Sequence, residues 1–190
     1  MRIILASGSP RRREILAEMG LSFEVLVTDA DESVPSGLTP TEACEQIARI
    51  KCEAAVGAAG NSDTLVIAAD TIVTKGGVIY GKPEGTRGAE AMLAALSGGL
   101  HSVITAICVC CNGVYASDIG ETFVSFREMS ADEIAEYVAT GEPMDKSGSY
   151  AIQGGAAKFV EKIDGDIGNV IGISARRLAG LLNKFGINQV

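Results

Sequence analysis

Apolar residues come in short bursts along this chain, and the period within each burst predicts an element. Residues 2–6 are a brief apolar run that reads as a buried strand. Ser9 and Pro10 follow as an N-cap and a first helical residue, opening a helix to about Met19 that Gly20 stops. Residues 23–28 read as a second strand and residues 29–37 as an acidic loop. Thr39-Pro40-Thr41-Glu42 is a capping box with proline at the first helical position. The helix it opens presents Ala43, Ile47, Ile50 and Ala54 as its apolar face. Residues 64–69 form an apolar strand that ends at Asp70, and residues 72–74 and 78–80 flank Lys75-Gly76-Gly77 as a hairpin.

Residues 84–96 read as a helix stopped by Gly98-Gly99. Strands at 102–111 and 114–117 surround Asn112-Gly113, a strong hairpin signal, and another strand follows at 122–126. Ser130-Ala131-Asp132-Glu133 is a second capping box, whose helix ends at Gly141. A polar loop covers 141–148, a strand covers 159–163, Asp164-Gly165 turns, and Ala175–Lys184 closes the chain as a helix. Strands and helices interleave without repeats or low-complexity linkers. The expected class is α/β with a twisted, mixed sheet.

Composition narrows what such a fold can bind. The 190 residues suit one large domain or two small lobes, with 47% hydrophobic and 21% charged residues. Aromatics are 5% and Trp is absent, which argues against base-stacking platforms. The net charge of −8, from 16 basic and 24 acidic residues, disfavours a coat for nucleic acid or for an anionic membrane. An anionic ligand must therefore meet a local cluster of positive groups. No apolar run is long enough to span a bilayer, and the N-terminal run is too short for a signal peptide. The 5 cysteines, at positions 44, 52, 108, 110 and 111, have no disulfide-scaffold spacing, which points to a reducing compartment and a cytoplasmic location.

Such a cluster lies in Ser7-Gly8-Ser9-Pro10-Arg11-Arg12-Arg13, between a strand and a helix. Backbone N–H groups and the dipole at a helix start favour an anion. Ser7 and Ser9 add hydroxyl donors, Gly8 allows close approach, and the arginines add planar forks suited to phosphate. Arginines at a positive helix end are unfavourable unless something negative is present; a capped helix with a solvated basic turn is the plain alternative. Asp70 at a strand's carboxyl end suits metal binding or general-base work, though a turn aspartate explains it equally well. Glu32 alone reads as a solvated loop charge, and Lys51 as a snorkelling helix residue.

Residues 76–83 nearly match a phosphate-binding P-loop, but Pro83 replaces the magnesium-ligating hydroxyl and the segment reads as a hairpin. Lys82 stays a phosphate candidate. Cys108-Val109-Cys110-Cys111 reads as core strand, and His101, the only histidine, supports neither a His-based metal site nor a catalytic triad. Residues 145–154 are unusual for a plain loop, and the Gln153 amide could read a base edge by donating and accepting together. A structural turn is the plain alternative.

Taken in order, several segments resemble the Maf family of nucleoside triphosphate pyrophosphatases. They are Ser7-Gly8-Ser9-Pro10-Arg11-Arg12, Ala69-Asp70-Thr71-Ile72-Val73, Gly81-Lys82-Pro83, Leu96-Ser97-Gly98, Thr140-Gly141-Glu142-Pro143, residues 145–154 and Phe159-Val160. The resemblance implies one Maf-type domain over 1–190, with the inosine-triphosphatase-like (Maf/Ham1) mixed-sheet fold and two lobes around a cleft. It implies hydrolysis of a nucleoside triphosphate to the monophosphate and pyrophosphate with a divalent metal, Mg²⁺ or Mn²⁺. Asp70 matches the catalytic acidic residue, and Glu32, Lys51 and Lys82 match the charged residues around the triphosphate. Asp70 and Glu32 supply the oxygens a hard cation prefers. Ser7, Arg11 and Arg12 match the phosphate loop.

Thr71 and Ile152-Gln153-Gly154 resemble the branch acting on dTTP and UTP, with Arg11 as a third specificity position. Gly172-Ile173-Ser174-Ala175 departs from the family's Gly-Leu-Pro-Leu, a change expected to touch packing more than chemistry. Alternatives are a 7-methyl-GTP or inosine-type pyrophosphatase and a non-catalytic nucleotide-binding regulator of septum formation. House-cleaning of nucleotides and a division-linked role are both compatible with the motifs, as is a homodimer.

Overall fold

The computed structural model describes residues 1–60 and 63–187. Among them, in chain order, are strand β1 (Arg2–Leu5), helix α1 (Pro10–Glu18), β2 (Glu24–Val25), α2 (Pro40–Ala59), β3 (Thr64–Lys75) and β4 (Val78–Tyr80). Then come α3 (Gly85–Leu96), β5 (Leu100–Cys111), β6 (Val114–Phe126), α4 (Ala131–Ala139), β7 (Val160–Asp164), α5 (Ile167–Ile171) and α6 (Ala175–Lys184). The strands make one 7-stranded mixed sheet in the order β2-β1-β3-β5-β6-β7, with β4 paired to β3. β1 runs parallel to β2 and β3, whereas β3–β4 and β6–β7 are antiparallel. The expected mixed α/β class is what the chain forms.

The chain divides into two compact units. The first contains Met1–Asp70, Thr105–Gly120 and Gly172–Val190; its core gathers Leu5, Leu16, Ile67, Ile107, Leu178 and Leu182. The second contains Thr71–Ile104 and Glu121–Ile171; its core gathers Leu93, Leu96, Phe126, Tyr137 and Phe159.

Local chemistry explains most elements. Both capping boxes form, at Thr39 with Glu42 and at Ser130 with Glu133. Gly76 and Gly77 have φ of +60° and +81°, as a two-residue hairpin loop requires, and pair Lys75 with Val78. Ser174 caps α6 by accepting from the Arg177 N–H, so the Gly172-Ile173-Ser174-Ala175 departure makes a sound helix start.

Several expectations need correction. Asp70 does not end a strand: β3 runs on through it to Lys75, with β5 beside it in the sheet and β4 joining only over Val73–Lys75. The strands expected at 114–117 and 122–126 are one, β6; Gly120 is buried, and Asp118 is neutralised by Arg177 at 2.6 Å. The strand expected at 23–28 shrinks to Glu24–Val25 at the sheet edge. The buried stripe of α2 is Ala43, Cys44, Ala48, Cys52 and Ala55, while Ile47, Ile50 and Ala54 are only half-buried. Small side chains face the sheet, and that lets the helix lie close. The polar stretch after Gly141 contains short 3-10 turns at Glu142–Asp145 and Ser147–Ser149.

Candidate functional site

In the first unit, β3 and α2 bring the charged candidates together. Residues 65–69 of β3 are all buried. The Cys44 thiol donates to the Asp70 carbonyl at 3.4 Å, and the Cys52 thiol approaches the Val66 carbonyl at 3.9 Å. Eight helical residues rise about 12 Å and four strand residues about 13 Å, so α2 runs antiparallel beside β3. Helical side chains lean toward the helix N-terminus, which here is the Asp70 end. Lys51 leans that way. Its ammonium lies 2.7 Å from Asp70 Oδ1 and 3.0 Å from Glu32 Oε2. Asp70 and Lys51 keep 14% and 19% of their side chains exposed against 54% for Glu32, so the first pair is sheltered and the second opens to water.

The loop between β1 and α1 is shaped by Arg12. Its Nε donates to the Gly172 carbonyl at 2.9 Å, and its Nη1 donates to the Ala69 carbonyl at 2.8 Å and to Ser7 Oγ at 3.2 Å. Ser7 Oγ also accepts from the Ser9 N–H at 3.2 Å. Burial lowers the Arg12 pKa, opposed first by the Asp70 charge, then by Cys44 and Glu32; a guanidinium still stays protonated. Arg12 therefore spends part of its fork on backbone carbonyls rather than presenting all of it to a ligand.

Arg11 is half-buried and makes no side-chain hydrogen bond or ion pair among the described residues. Arg13 is exposed, with a long 3.4 Å bond to the Gly8 carbonyl. Ser9 holds the N-cap position of α1, but its side chain makes no cap bond. A Cβ on Gly8 would meet only Val27 Cγ2 at 3.6 Å, an ordinary contact.

Thr71, Lys82 and Gln153 belong to the second unit. One segment fixes the backbone beside two of them. Ser147 Oγ donates to the Thr71 carbonyl at 3.0 Å, and the Gly148 N–H donates to the Gly81 carbonyl at 3.1 Å. Lys82 and Gln153 are exposed, and neither side chain makes a hydrogen bond or ion pair among the described residues. Tyr137 of α4, buried and overlooked in the sequence, accepts the Ala151 N–H at 3.0 Å on its hydroxyl. Its only sequence signal is a hydroxyl on an apolar helix face.

The remaining candidates are structural. His101 Nε2 lies 2.9 Å from the Tyr150 hydroxyl, and the ring stacks edge-on to Phe126. Burial, helped by Lys75, pushes its pKa down to about 4. All 5 cysteines are buried, and none forms a disulfide.

The pattern of the Maf-like protein family matches residues 2–185. The chain belongs to the Maf family. A relative from Anaeromyxobacter dehalogenans (strain 2CP-1), named dTTP/UTP pyrophosphatase, is 44% identical over 97% of this Maf chain and 94% of its own length. One from Pelotomaculum thermopropionicum with the same name is 43% identical over 98% of this chain and 97% of its own. Among solved structures, the Staphylococcus aureus Ham1 protein aligns at a TM-score of 0.49 and 16% identity over 97% of each chain. That agreement is too loose to add to the family assignment. No helix among the described residues is long and apolar enough to cross a membrane.

Proposed function

We propose that this Maf chain hydrolyses dTTP and UTP to the nucleoside monophosphate and pyrophosphate, acting as a single domain in the cytoplasm. The observation that carries the proposal is the convergence of Asp70 and Glu32 on Lys51. It occurs in a chain matched almost end to end by relatives named for that activity.

In this reading Asp70 orients a water molecule toward the α-phosphorus and takes its proton. The water oxygen bonds to that phosphorus. The bond from phosphorus to the α–β bridging oxygen breaks, and pyrophosphate leaves with the electron pair. Ser7, Ser9 and Arg11 receive phosphate oxygens at the α1 N-terminus. Arg12 shapes that loop and adds its charge. Lys51 and Lys82 balance the polyanion. Thr71 and Gln153 select the base, Gln153 because a primary amide both donates and accepts.

The donor set fits a hard divalent cation. Two carboxylates approach one cationic atom within 3.0 Å, and Mg²⁺ commonly uses one or two carboxylates together with substrate phosphates. Asp70 and Glu32 would hold Mg²⁺ or Mn²⁺, which when bound neutralises charge on phosphoryl oxygens.

The test is pyrophosphate release from dTTP, UTP, CTP, ITP, GTP and 7-methyl-GTP, with Mg²⁺ or Mn²⁺. UTP and dTTP should exceed the purines in kcat/KM by about a hundredfold, the discrimination a hydrogen-bonding site readily gives. A purine preference overturns the specificity, and tight UTP binding without pyrophosphate release overturns the enzyme.

A further inference from the structure

The segment after α4 holds a glutamate, Glu142, with no part in the chemistry proposed around Asp70. Gly141, with φ of +76°, turns the chain out of α4, and Glu142 opens the following 3-10 turn. Glu142 Oε2 accepts the Gly155 N–H at 2.9 Å. Lys146 Nζ donates to the Glu142 carbonyl at 2.9 Å and steadies that residue's backbone. The turn carrying Gln153 is closed by the Gly154 N–H on the Ala151 carbonyl at 3.0 Å. Tyr137 holds this turn at its Ala151 end, and Glu142 holds it at its Gly155 end.

The glycines record how tightly the carboxylate sits. A Cβ on Gly154 would fall 1.9 Å from Glu142 Oε1. Its φ of −116° lies outside the left-handed region, and the Glu142 carboxylate is what a side chain there would meet first. A Cβ on Gly155 would press on the Tyr137 ring at 3.1 Å. Gln153, between these anchors, is exposed and its amide has no hydrogen bond among the described residues. Its direction is set by the backbone on either side.

We propose that Glu142 is a positioning residue for base selection: its carboxylate, seated against Gly154 and bonded to the Gly155 N–H, aims Gln153. This rests on the reading of Gln153 as the base-contacting amide. A carboxylate accepting an amide N–H makes a charge-assisted bond, stronger than a neutral one. Losing it frees the turn without touching the triphosphate, so the effect falls on substrate affinity and discrimination rather than on turnover.

The test is steady-state kinetics with UTP and GTP on Glu142→Ala, Glu142→Gln, Gly154→Ala, the Glu142→Ala/Gly154→Ala double variant and Gln153→Ala, each first checked by thermal melting. Glu142→Ala should raise KM for UTP about tenfold, lower the UTP-to-GTP ratio of kcat/KM about tenfold and change kcat less than about twofold, the scale of one lost hydrogen bond. Glu142→Gln keeps an amide oxygen for the Gly155 N–H and should recover most of both. Gly154→Ala should reproduce Glu142→Ala, because its methyl group expels the carboxylate, and the double variant should be no worse than either single one. Additive effects in the double variant, or a Glu142→Gln enzyme as impaired as Glu142→Ala, overturn the positioning role. So does an unchanged ratio in Glu142→Ala when Gln153→Ala shifts it. An unchanged ratio in Gln153→Ala overturns the base contact itself, and the positioning role with it.

Discussion

Around Asp70 the polar groups are side chains of opposite charge, whereas between Gly141 and Gly155 they are mostly backbone amides and carbonyls. In the first region Lys51 serves two carboxylates from different parts of the chain, and Arg12 ties the phosphate-loop candidate to β3. In the second, Ser147, Gly148 and Tyr137 fix the chain through its peptide groups, leaving Gln153 projecting. A charged cluster tolerates little change of charge but some change of shape. A backbone-fixed turn tolerates surface charge changes but no added methyl group where space is taken. Chemistry suits the first construction and recognition the second.

The sharpest way to break this contrast is to remove one charge. Asp70→Asn keeps the shape and leaves Lys51 with Glu32 at 3.0 Å. Turnover should fall by about a thousandfold, within the range for a lost general base, while the fold survives. Glu32→Gln should cost only about tenfold, because Lys51 keeps its sheltered bond to Asp70 at 2.7 Å and Glu32 is more than half exposed. Pyrophosphate release and melting curves check both. Equal losses for the two variants would mean that the carboxylates share one role.

The same contrast explains what the sequence made legible. Helix starts were readable, because a capping box is local: Thr39 with Glu42 and Ser130 with Glu133 formed as written. The Gly76-Gly77 hairpin was equally local. Strand ends were not. Asp70 and Thr71 interrupt an apolar run and look like a terminus, yet β3 continues through them to Lys75 beside β5, a partner remote in sequence. Asp118 broke β6 on paper for the same reason, since its partner Arg177 lies far along the chain. In the candidate site, the basic first turn of α1 suggests an anion by its own electrostatics. Arg12's bonds to the Ala69 and Gly172 carbonyls had no sequence signal, because both partners come from remote segments. Glu32 was noticeable only through family resemblance; alone it is one acid in an acidic loop. Glu142 stands in the sequence only within Thr140-Gly141-Glu142-Pro143, with no role of its own; its sign is Gly154-Gly155, a glycine pair with no positive φ to require it.

Protonation tests the second unit's side of the comparison. His101 is its buried imidazole, with Nδ1 lacking a hydrogen-bond partner among the described residues and a pKa pushed from 6.5 down to about 4. Between those values the unfolded chain binds more protons than the folded one. The stability contributed by the neutral ring is therefore whole above pH 6.5 and is lost as pH falls toward 4. The full span is roughly 3 kcal/mol. Urea unfolding from pH 7.5 to 4 should show that decline in the native protein and a flatter one in His101→Phe, which keeps the ring packing. Parallel curves for the two proteins would mean that His101 charges without penalty.

The smallest effects separate two serine- and threonine-led helix starts that look alike in sequence. Ser9 and Thr39 both stand at an N-cap, each followed by proline. Thr39 Oγ1 accepts the Glu42 N–H at 3.3 Å, and the Glu42 carboxylate accepts the Thr39 N–H at 2.8 Å. Ser9 Oγ makes no such bond, and no acidic residue lies in the first turn of α1. Thr39→Ala should therefore cost about 1 kcal/mol of stability and leave the KM for UTP unchanged. Ser9→Ala should leave stability within about 0.3 kcal/mol and raise that KM about threefold, a modest hydrogen bond's worth. Denaturant midpoints and initial rates on the two variants decide the matter. If Ser9→Ala destabilises the protein as Thr39→Ala does and leaves KM alone, Ser9 is an ordinary cap. The anion would then be held by the α1 backbone and Arg11 without it.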